Sequence, residues 1–404
     1  MSEWKKVRLK DCCHSISDGD HLPPPKSDSG VPFVTIANID ATNHIDFGNT
    51  MFVPYEYYNN LNDIRKAKFN DILYSVVGSF GKPVLIKENK PFAFQRHIAI
   101  LRPNHEIVDS RFLYYVMLSR DFYMQADTVA IGAAQRTISL TALRNMEVEL
   151  PSMEIQHRIA TILSRYDSLI ENYQKQIKLL EEAAQRLYKE WFVDLRFPGH
   201  ENTNIVDGVP EGWEKKKISD VCETVGGGTP STKVPAYYKG GRIKWVTPTD
   251  ITRNNCICLL DTDKKITEEG LRNSSTKMVP AGTILMTSRA SVGYFGIADF
   301  EVCTNQGFIS CIPIPNMQMY LLFNLMSRVD EIRQKAGGST YLEISKSVFR
   351  NFDIVCPSEI ILLQFQDKAS LVLKKEKTLS LQLRLLTEAR DRLLPKLMSG
   401  EITV

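Results

Sequence analysis

The chain has 404 residues, 43% of them hydrophobic and 24% charged, which supports two or three packed domains and excludes disordered and collagen-like classes. Its 50 basic and 47 acidic residues leave a formal charge of +3, so a basic face for nucleic acid must come from arrangement and not from excess. No charged-then-apolar leader follows Met1 and no apolar run reaches the roughly 20 residues that span a bilayer, which leads us to expect a cytoplasmic protein.

In chain order, short β-type runs are expected at residues 31–36, 72–77 and 98–101, broken by Gly, Pro and Asn clusters, with a helical patch near 112–118. A strongly helical stretch follows. Apolar or bulky residues recur at Ile155, Ile159, Ile162, Tyr166, Leu169, Tyr173, Ile177, Leu180, Ala184, Leu187 and Trp191, a three-four spacing over about five heptads. Ser152 is placed to cap it, and Glu154 sits near its positive end. Residues 196–212, rich in Pro, Gly and Asn, read as a linker.

The pattern then starts again. β-type runs are expected at 284–287 and 308–312, a helical patch at 320–326, and a second long helix after Ser358 and Glu359. Its stripe is Leu362, Phe365, Ala369, Val372, Leu379, Leu383, Leu386, Leu393 and Leu397, interrupted by Glu376 and Arg390; neither helical stretch holds glycine, nor proline before Pro395.

The two halves align. Trp4, Leu9 and Asp11 match Trp213, Ile218 and Asp220; Phe33, Thr35 and Ile39 match Trp245, Thr247 and Ile251; Asp71, Ser75 and Gly81 match Thr283, Thr287 and Gly293. Gly132 to Ile138 match Gly338 to Ile344, and Asn145 and Pro151 match Asn351 and Pro357. Matches in register at this many places make one structural unit used twice. The expected class is α+β: two pseudo-repeated globular domains, residues 1–151 and 213–357, each followed by a long helix, 152–195 and 358–404. A helix over 155–191 would run roughly 55 Å at about 1.5 Å per residue, so the two stripes are expected to bury each other as an antiparallel coiled coil.

Catalytic and metal signatures are missing from the pattern. The 8 cysteines form no CxxC, and the 7 histidines form no HExxH; no metal and no cofactor is expected. Gly226-Gly227-Gly228 lacks both the GxxxxGK[ST] and GxGxxG spacings and reads as a turn. Asp71 with Glu88 and Lys90 faintly resembles a nuclease set, but a charged turn is the simpler reading. A DNA methyltransferase would need an Asn/Asp-Pro-Pro-Tyr/Phe motif, whereas Pro23-Pro24-Pro25 is followed by Lys26.

Several motifs together resemble the specificity subunit of type I restriction-modification systems, over essentially the whole chain. Ser17-Asp18-Gly19-Asp20-His21 with Pro23-Pro24, and Gly30-Val31-Pro32-Phe33, are similar to the opening of one class of that family's target recognition domains. Gly227-Gly228-Thr229-Pro230-Ser231, Tyr237-Tyr238, Gly241-Arg242-Ile243-Lys244-Trp245 and Asp250-Ile251 resemble a second class, and Arg390-Asp391-Arg392-Leu393-Leu394-Pro395-Lys396-Leu397 resembles the family's C-terminal helix end. The resemblance implies a non-catalytic reader of a split double-stranded DNA target, one half per domain. It also implies two adenine-methylating subunits docked on the helices and a translocating nuclease that joins for restriction. The competing reading is a structural coiled-coil protein with duplicated adhesive domains.

Base reading needs polar side chains on loops, classically Arg to guanine and Asn or Gln to adenine, with Lys, Ser and Thr on phosphates. The candidates in the first domain are Asp18, His21, Lys26, Ser75, Ser79, Lys82, Gln95, Arg96, His97, Gln135 and Arg136. In the second they are Thr229, Ser231, Lys233, Thr287, Ser288, Arg289, Ser291, Asn305, Gln306, Ser339 and Thr340, with Arg96 and Arg289 foremost. Tyr55, Tyr57 and Tyr58 are suited either to stacking on a base or to packing in a strand.

Overall fold

The computed structural model describes residues 4–21, 23–40, 42–133, 135–254, 256–338 and 341–404. The chain forms two compact units, Met1–Leu169 with Leu386–Val404, and Ile170–Leu385.

In the first unit the strand Lys5–Arg8 pairs antiparallel with Glu147–Leu150, closing the start of the domain onto its end. Alternate residues of Glu147–Leu150 are buried, as expected of a strand with one solvated face. The main sheet orders Cys13–Asp18, Ile98–Pro103, Ile72–Ser75 and Pro83–Leu85, all antiparallel. Its two central strands read as unbroken apolar runs because both faces are covered, one by the core around Phe112 and Leu113, the other by that around Val34 and Phe94. A smaller sheet orders Met51–Val53, Val31–Val34 and Ala93–Phe94, the last pair parallel.

The second unit repeats this plan. Glu214–Lys217 pairs with Asp353–Cys356. A five-stranded sheet orders Cys222–Gly226, Phe308–Pro313, Ile284–Thr287, Phe295–Ala298 and Cys258–Leu259; a four-stranded one orders Lys264–Ile266, Ile243–Val246, Val302–Thr304 and Met278–Val279. Both copies carry the same local device after an inner strand of the smaller sheet, Val31–Val34 or Ile243–Val246: the Thr35–Asn38 and Thr247–Asp250 capping boxes, each opening a short helical turn. The sheets mix parallel and antiparallel pairs, so the α+β class stands.

Several boundaries differ from the sequence expectation. The run at 31–36 splits into the strand Val31–Val34 and the 3-10 turn Ile36–Asn38, because the Thr35 capping box starts a helix. The helical patches are Ser110–Leu118 and Gln318–Ser327, each followed by a second helix, Arg120–Val129 and Val329–Lys335. Residues 196–212 are not a bare linker: they hold the 3-10 turn His200–Asn202 and the hairpin Ile205–Val206 with Val209–Pro210.

The long helices are Met153–Tyr188, 36 residues and about 54 Å at 1.5 Å each, and Glu359–Met398, 40 residues with Pro395 inside its last turn. The first passes into a π turn at Lys189–Val193. Within each unit, segments of both helices pack together. In the first unit Ile159, Ala160 and Leu163 share a core with Leu397; in the second, Ala184, Tyr188 and Trp191 share one with Ile361, Phe365 and Ala369. The pairing is antiparallel, early residues of one helix meeting late residues of the other. Leu169, assigned to the apolar stripe, is instead 44% exposed, since the stripe drifts around a straight helix.

The two interruptions of the second stripe are polar contacts. Arg390 Nη1 lies 3.0 Å from Asp167 Oδ1, and the Tyr115 hydroxyl donates to Asp167 Oδ2 at 2.6 Å. Glu376 is buried and hydrogen-bonds Glu181.

Candidate nucleic-acid interface

Each unit carries a platform built from three loops, and the backbone hydrogen bonds that join them are the same in both. In the first unit the Val76 N–H donates to His97 O at 2.9 Å, Ile138 N–H to Val76 O at 2.8 Å, and Gly78 N–H to Arg136 O at 2.9 Å. In the second, Ser288 N–H donates to Gly307 O at 2.8 Å, Ile344 N–H to Ser288 O at 3.0 Å, and Ala290 N–H to Leu342 O at 2.8 Å. Gly78 and Ala290 share a left-handed backbone, φ 67° and 61°; an alanine adopts it only where the surroundings impose it.

The glycine-rich motifs serve this construction. An alanine Cβ at Gly19 would stand 2.1 Å from Phe94 O, and one at Gly227 1.9 Å from Asn305 O, so both glycines let one loop cross another at backbone distance. Gly226-Gly227-Gly228 is thus a crossing point, which is why it lacks any phosphate-loop spacing.

Each platform frames a cleft. The first, of about 340 Å³, is lined by residues that include Asp18, Arg96, His97, Gln135, Thr137 and Ser139. The second, of about 310 Å³, is lined by Pro248, Arg289, Ala290, Asn305, Gln306, Gly307 and Tyr341. Seven of the sequence-derived candidates therefore converge on the clefts.

Around the first cleft, charge is concentrated. His21 Nε2 lies 2.8 Å from Asp18 Oδ2, Arg65 reaches Asp18 at 3.8 Å and Asp20 at 3.4 Å, and the Tyr57 hydroxyl donates to Asp20. Burial, then Asp20 itself, holds the Tyr57 phenol above its ordinary pKa, so it stays a donor. Of the three tyrosines left open by the sequence, Tyr57 has this polar role, while Tyr55 is 63% exposed. Around the second cleft, Arg289 Nε lies 3.6 Å from Glu343 and the Thr229 hydroxyl donates to Gln306 Oε1.

Other candidates fall elsewhere. Ser75 and Thr287 are buried, and their hydroxyls hold the turns they belong to: Ser75 donates to Ser79 O and accepts from the Lys82 N–H, Thr287 donates to Ser291 O and accepts from the Tyr294 N–H. Ser288 is buried as well. None of these three lines a cleft. The half-exposed Arg136 is engaged by Asp127 and by the carbonyl oxygens of Asp127 and Ala130, and it does not line the cleft. Lys26, Ser79, Ser231 and Lys233 are exposed but line neither cleft, as is true of the half-buried Lys82, Gln95 and Ser291. Ser339 and Thr340 lie outside the described residues.

The sequence reading missed Arg65, Thr137, Ser139 and Tyr341, and left the role of Tyr57 open. Arg65 and Tyr57 are brought to Asp20 by the turn Asp63–Arg65 and the helix Tyr55–Asn60, contacts that no local motif encodes. Tyr341 carried a readable signal, since it follows the Gly337-Gly338 pair that matches the loop of Gln135. The faint nuclease set dissolves: Asp71 is buried against Arg102, with Nη2 at 2.9 Å. Among the described residues no His, Cys, Asp and Glu group is arranged to hold a metal ion, and no helix is long and apolar enough to cross a membrane.

A platform repeated with the same backbone and different side chains is a recognition module used twice. Residues 1–182 and 210–370 match the family described as type I restriction modification DNA specificity domain. The chain is 26% identical to the HindI specificity subunit of Haemophilus influenzae over 476 aligned positions that cover all of both chains. It is 39% identical over 153 residues to the MjaIX specificity subunit of Methanocaldococcus jannaschii, a match covering 37% of this chain and 35% of that relative. Its fold is similar to the crystal structure of the S subunit of a type I restriction-modification system from M. genitalium, with a TM-score of 0.64, 17% identity, and 98% of this chain and 96% of that one covered. The chain belongs to the type I restriction-modification specificity family, whose members recognise DNA and do not catalyse.

Proposed function

We propose that this chain reads a bipartite DNA target, one half in each cleft, as the sequence-recognition subunit of a type I restriction-modification complex. The observation that carries this reading is the pair of clefts: one set of loop-to-loop hydrogen bonds supports Arg96, His97 and Gln135 in one unit and Gln306, Arg289 and Tyr341 in the other. Equivalent platforms with different polar groups are what two different half-sites require. Residues 1–151 and 213–357 act as the target recognition domains, with 152–195 and 358–404 as the helices that set the unread gap and 196–212 as the connection. The first helix alone, at about 54 Å, exceeds the roughly 34 Å of one B-DNA turn.

Two copies of an adenine-methylating subunit dock on the helices, a translocating nuclease joins for restriction, and the complex works in the cytoplasm. The exposed candidates Lys26, Ser79, Ser231 and Lys233 serve phosphates. The test is co-expression with the methylating subunit of its own system, followed by mapping of modified adenines. Two short defined sequences around a fixed gap are expected; a continuous motif overturns the bipartite reading. A structural coiled-coil protein, by contrast, would bind duplex DNA neither tightly nor with the steep salt dependence of a phosphate-contacting reader.

A further inference from the structure

We infer that Arg96 and Gln306, which occupy the same position in the two platforms, read different bases: Arg96 a guanine in one half-site and Gln306 an adenine in the other. This rests on the bipartite reading proposed above and assigns its base specificity.

The two positions are structurally equivalent. Each lies two residues before the long central strand, Ile98–Pro103 or Phe308–Pro313, and one before the residue whose carbonyl accepts from Val76 or Ser288. The segment before each is fixed from the other side by one matching bond, Asp20 N–H to Phe94 O at 3.0 Å and Gly228 N–H to Thr304 O at 2.9 Å. Both side chains are exposed and line the clefts.

Their chemistry differs in the way two bases differ. The Arg96 guanidinium makes no ion pair or hydrogen bond among the described residues, and it offers a fork of donors without an acceptor. Guanine presents two acceptors, O6 and N7, in the major groove. A backbone phosphate is the other natural partner of an arginine, but Asp18, which His21 and Arg65 also contact, lines the same cleft and disfavours a phosphate beside its carboxylate. The same carboxylate suits the N4 donor of the cytosine that pairs with guanine.

Gln306 carries both a donor and an acceptor. The Thr229 hydroxyl donates to its Oε1, which orients the amide and leaves the second lone pair of Oε1 and both Nε2 hydrogens without partners among the described residues. One acceptor beside one donor matches adenine, which presents a donor at N6 and an acceptor at N7. An amide already oriented loses less freedom on binding.

The test exchanges the two residues in the full chain, co-expressed with its methylating subunit, and compares modified motifs. For R96Q the expected result is one guanine replaced by adenine in one half of the target, with the other half unchanged. For Q306R it is one adenine replaced by guanine in the opposite half. Preference at the affected position should move by roughly 10- to 100-fold. An unchanged motif, or a change in both halves from one substitution, overturns the inference while the bipartite reading stands; a wild-type motif without two parts removes both. Should an exchange abolish modification, R96A and Q306A complexes are measured against duplexes varied one base pair at a time. Loss confined to one base pair supports the assignment, and equal weakening on every duplex overturns it.

Discussion

Glu181 on the first long helix hydrogen-bonds Glu376 on the second, inside one unit, and each carboxyl also takes a backbone donor from one of two adjacent residues at the start of the strand Cys258–Leu259. Glu181 Oε1 accepts from the Ile257 N–H at 2.8 Å, and Glu376 Oε1 from the Cys258 N–H at 2.9 Å. Two acids in contact out of water cannot both ionise cheaply, so the pair shares a proton. Burial, and then the Glu376 carboxylate, pushes Glu181 up to about 7, and burial raises Glu376 as well.

The pair makes stability depend on pH in a stated direction. An unfolded glutamate ionises near about 4.3, whereas the folded one holds its proton to about 7, so the unfolded state binds fewer protons across that window. The contribution is full below the unfolded value and lost as pH rises through about 7. We expect the wild-type melting temperature to fall between pH 5 and 8 relative to E181Q, whose amide keeps both hydrogen bonds. The difference at pH 8 should be on the order of 1–3 kcal/mol, and parallel melting curves would refute a shared proton.

Replacing Gly227 tests the crossing point. G227A sets a methyl 1.9 Å from Asn305 O and 2.3 Å from Thr304 O, both backbone, so strands must part. A destabilisation of about 2 kcal/mol or more in urea unfolding is expected. The control is G240A, which meets nothing within 4 Å and carries only the cost of its φ of +75°, about 1 kcal/mol. Equal effects would show that Gly227 is not needed for the close approach.

Arg289 is exposed beside Glu343, on the loop that contributes Ala290 to the second cleft. R289A should weaken binding by roughly 1–3 kcal/mol and relax one base position in one half-site if it reads guanine. Measured across salt concentrations, a uniform loss with a slope reduced by about one charge would make it a phosphate contact instead.

Helix length sets the last expectation. Seven residues inserted between Leu169 and Glu181, matched by seven between Glu376 and Arg390, preserve the Asp167–Arg390 and Glu181–Glu376 contacts while adding about 10 Å of helix. The unread gap in the modified motif should lengthen by about 3 base pairs. An unchanged gap with full affinity would sink the spacer role.

The duplication and both helices were readable because periodicity and register survive in the residues themselves: Trp4 with Trp213, Ser75 with Thr287, Gly132 with Gly338. The interruptions at Glu376 and Arg390 were visible too, but their partners Glu181 and Asp167 lie more than a hundred residues away in sequence. Site residues were legible only in part. Polarity on an expected loop selected Arg96, Gln306 and Asn305, which line the clefts, yet it selected Ser75 and Thr287 by the same rule, and those hydroxyls are consumed by their own turns. Polarity alone does not distinguish a group that holds a loop from one the loop presents. Arg65, and the role of Tyr57, were hidden because the link of both to Asp20 is purely tertiary.

The loop platform is held by main-chain hydrogen bonds, Val76 to His97 and Ile138 in one unit, Ser288 to Gly307 and Ile344 in the other, and these ask nothing of the exposed side chains they carry. Folding and reading are thereby assigned to different atoms. A lineage carrying this scaffold can change its recognised sequence by single substitutions at the exposed positions without first gaining a reserve of stability, so target drift should be fast where core change is slow.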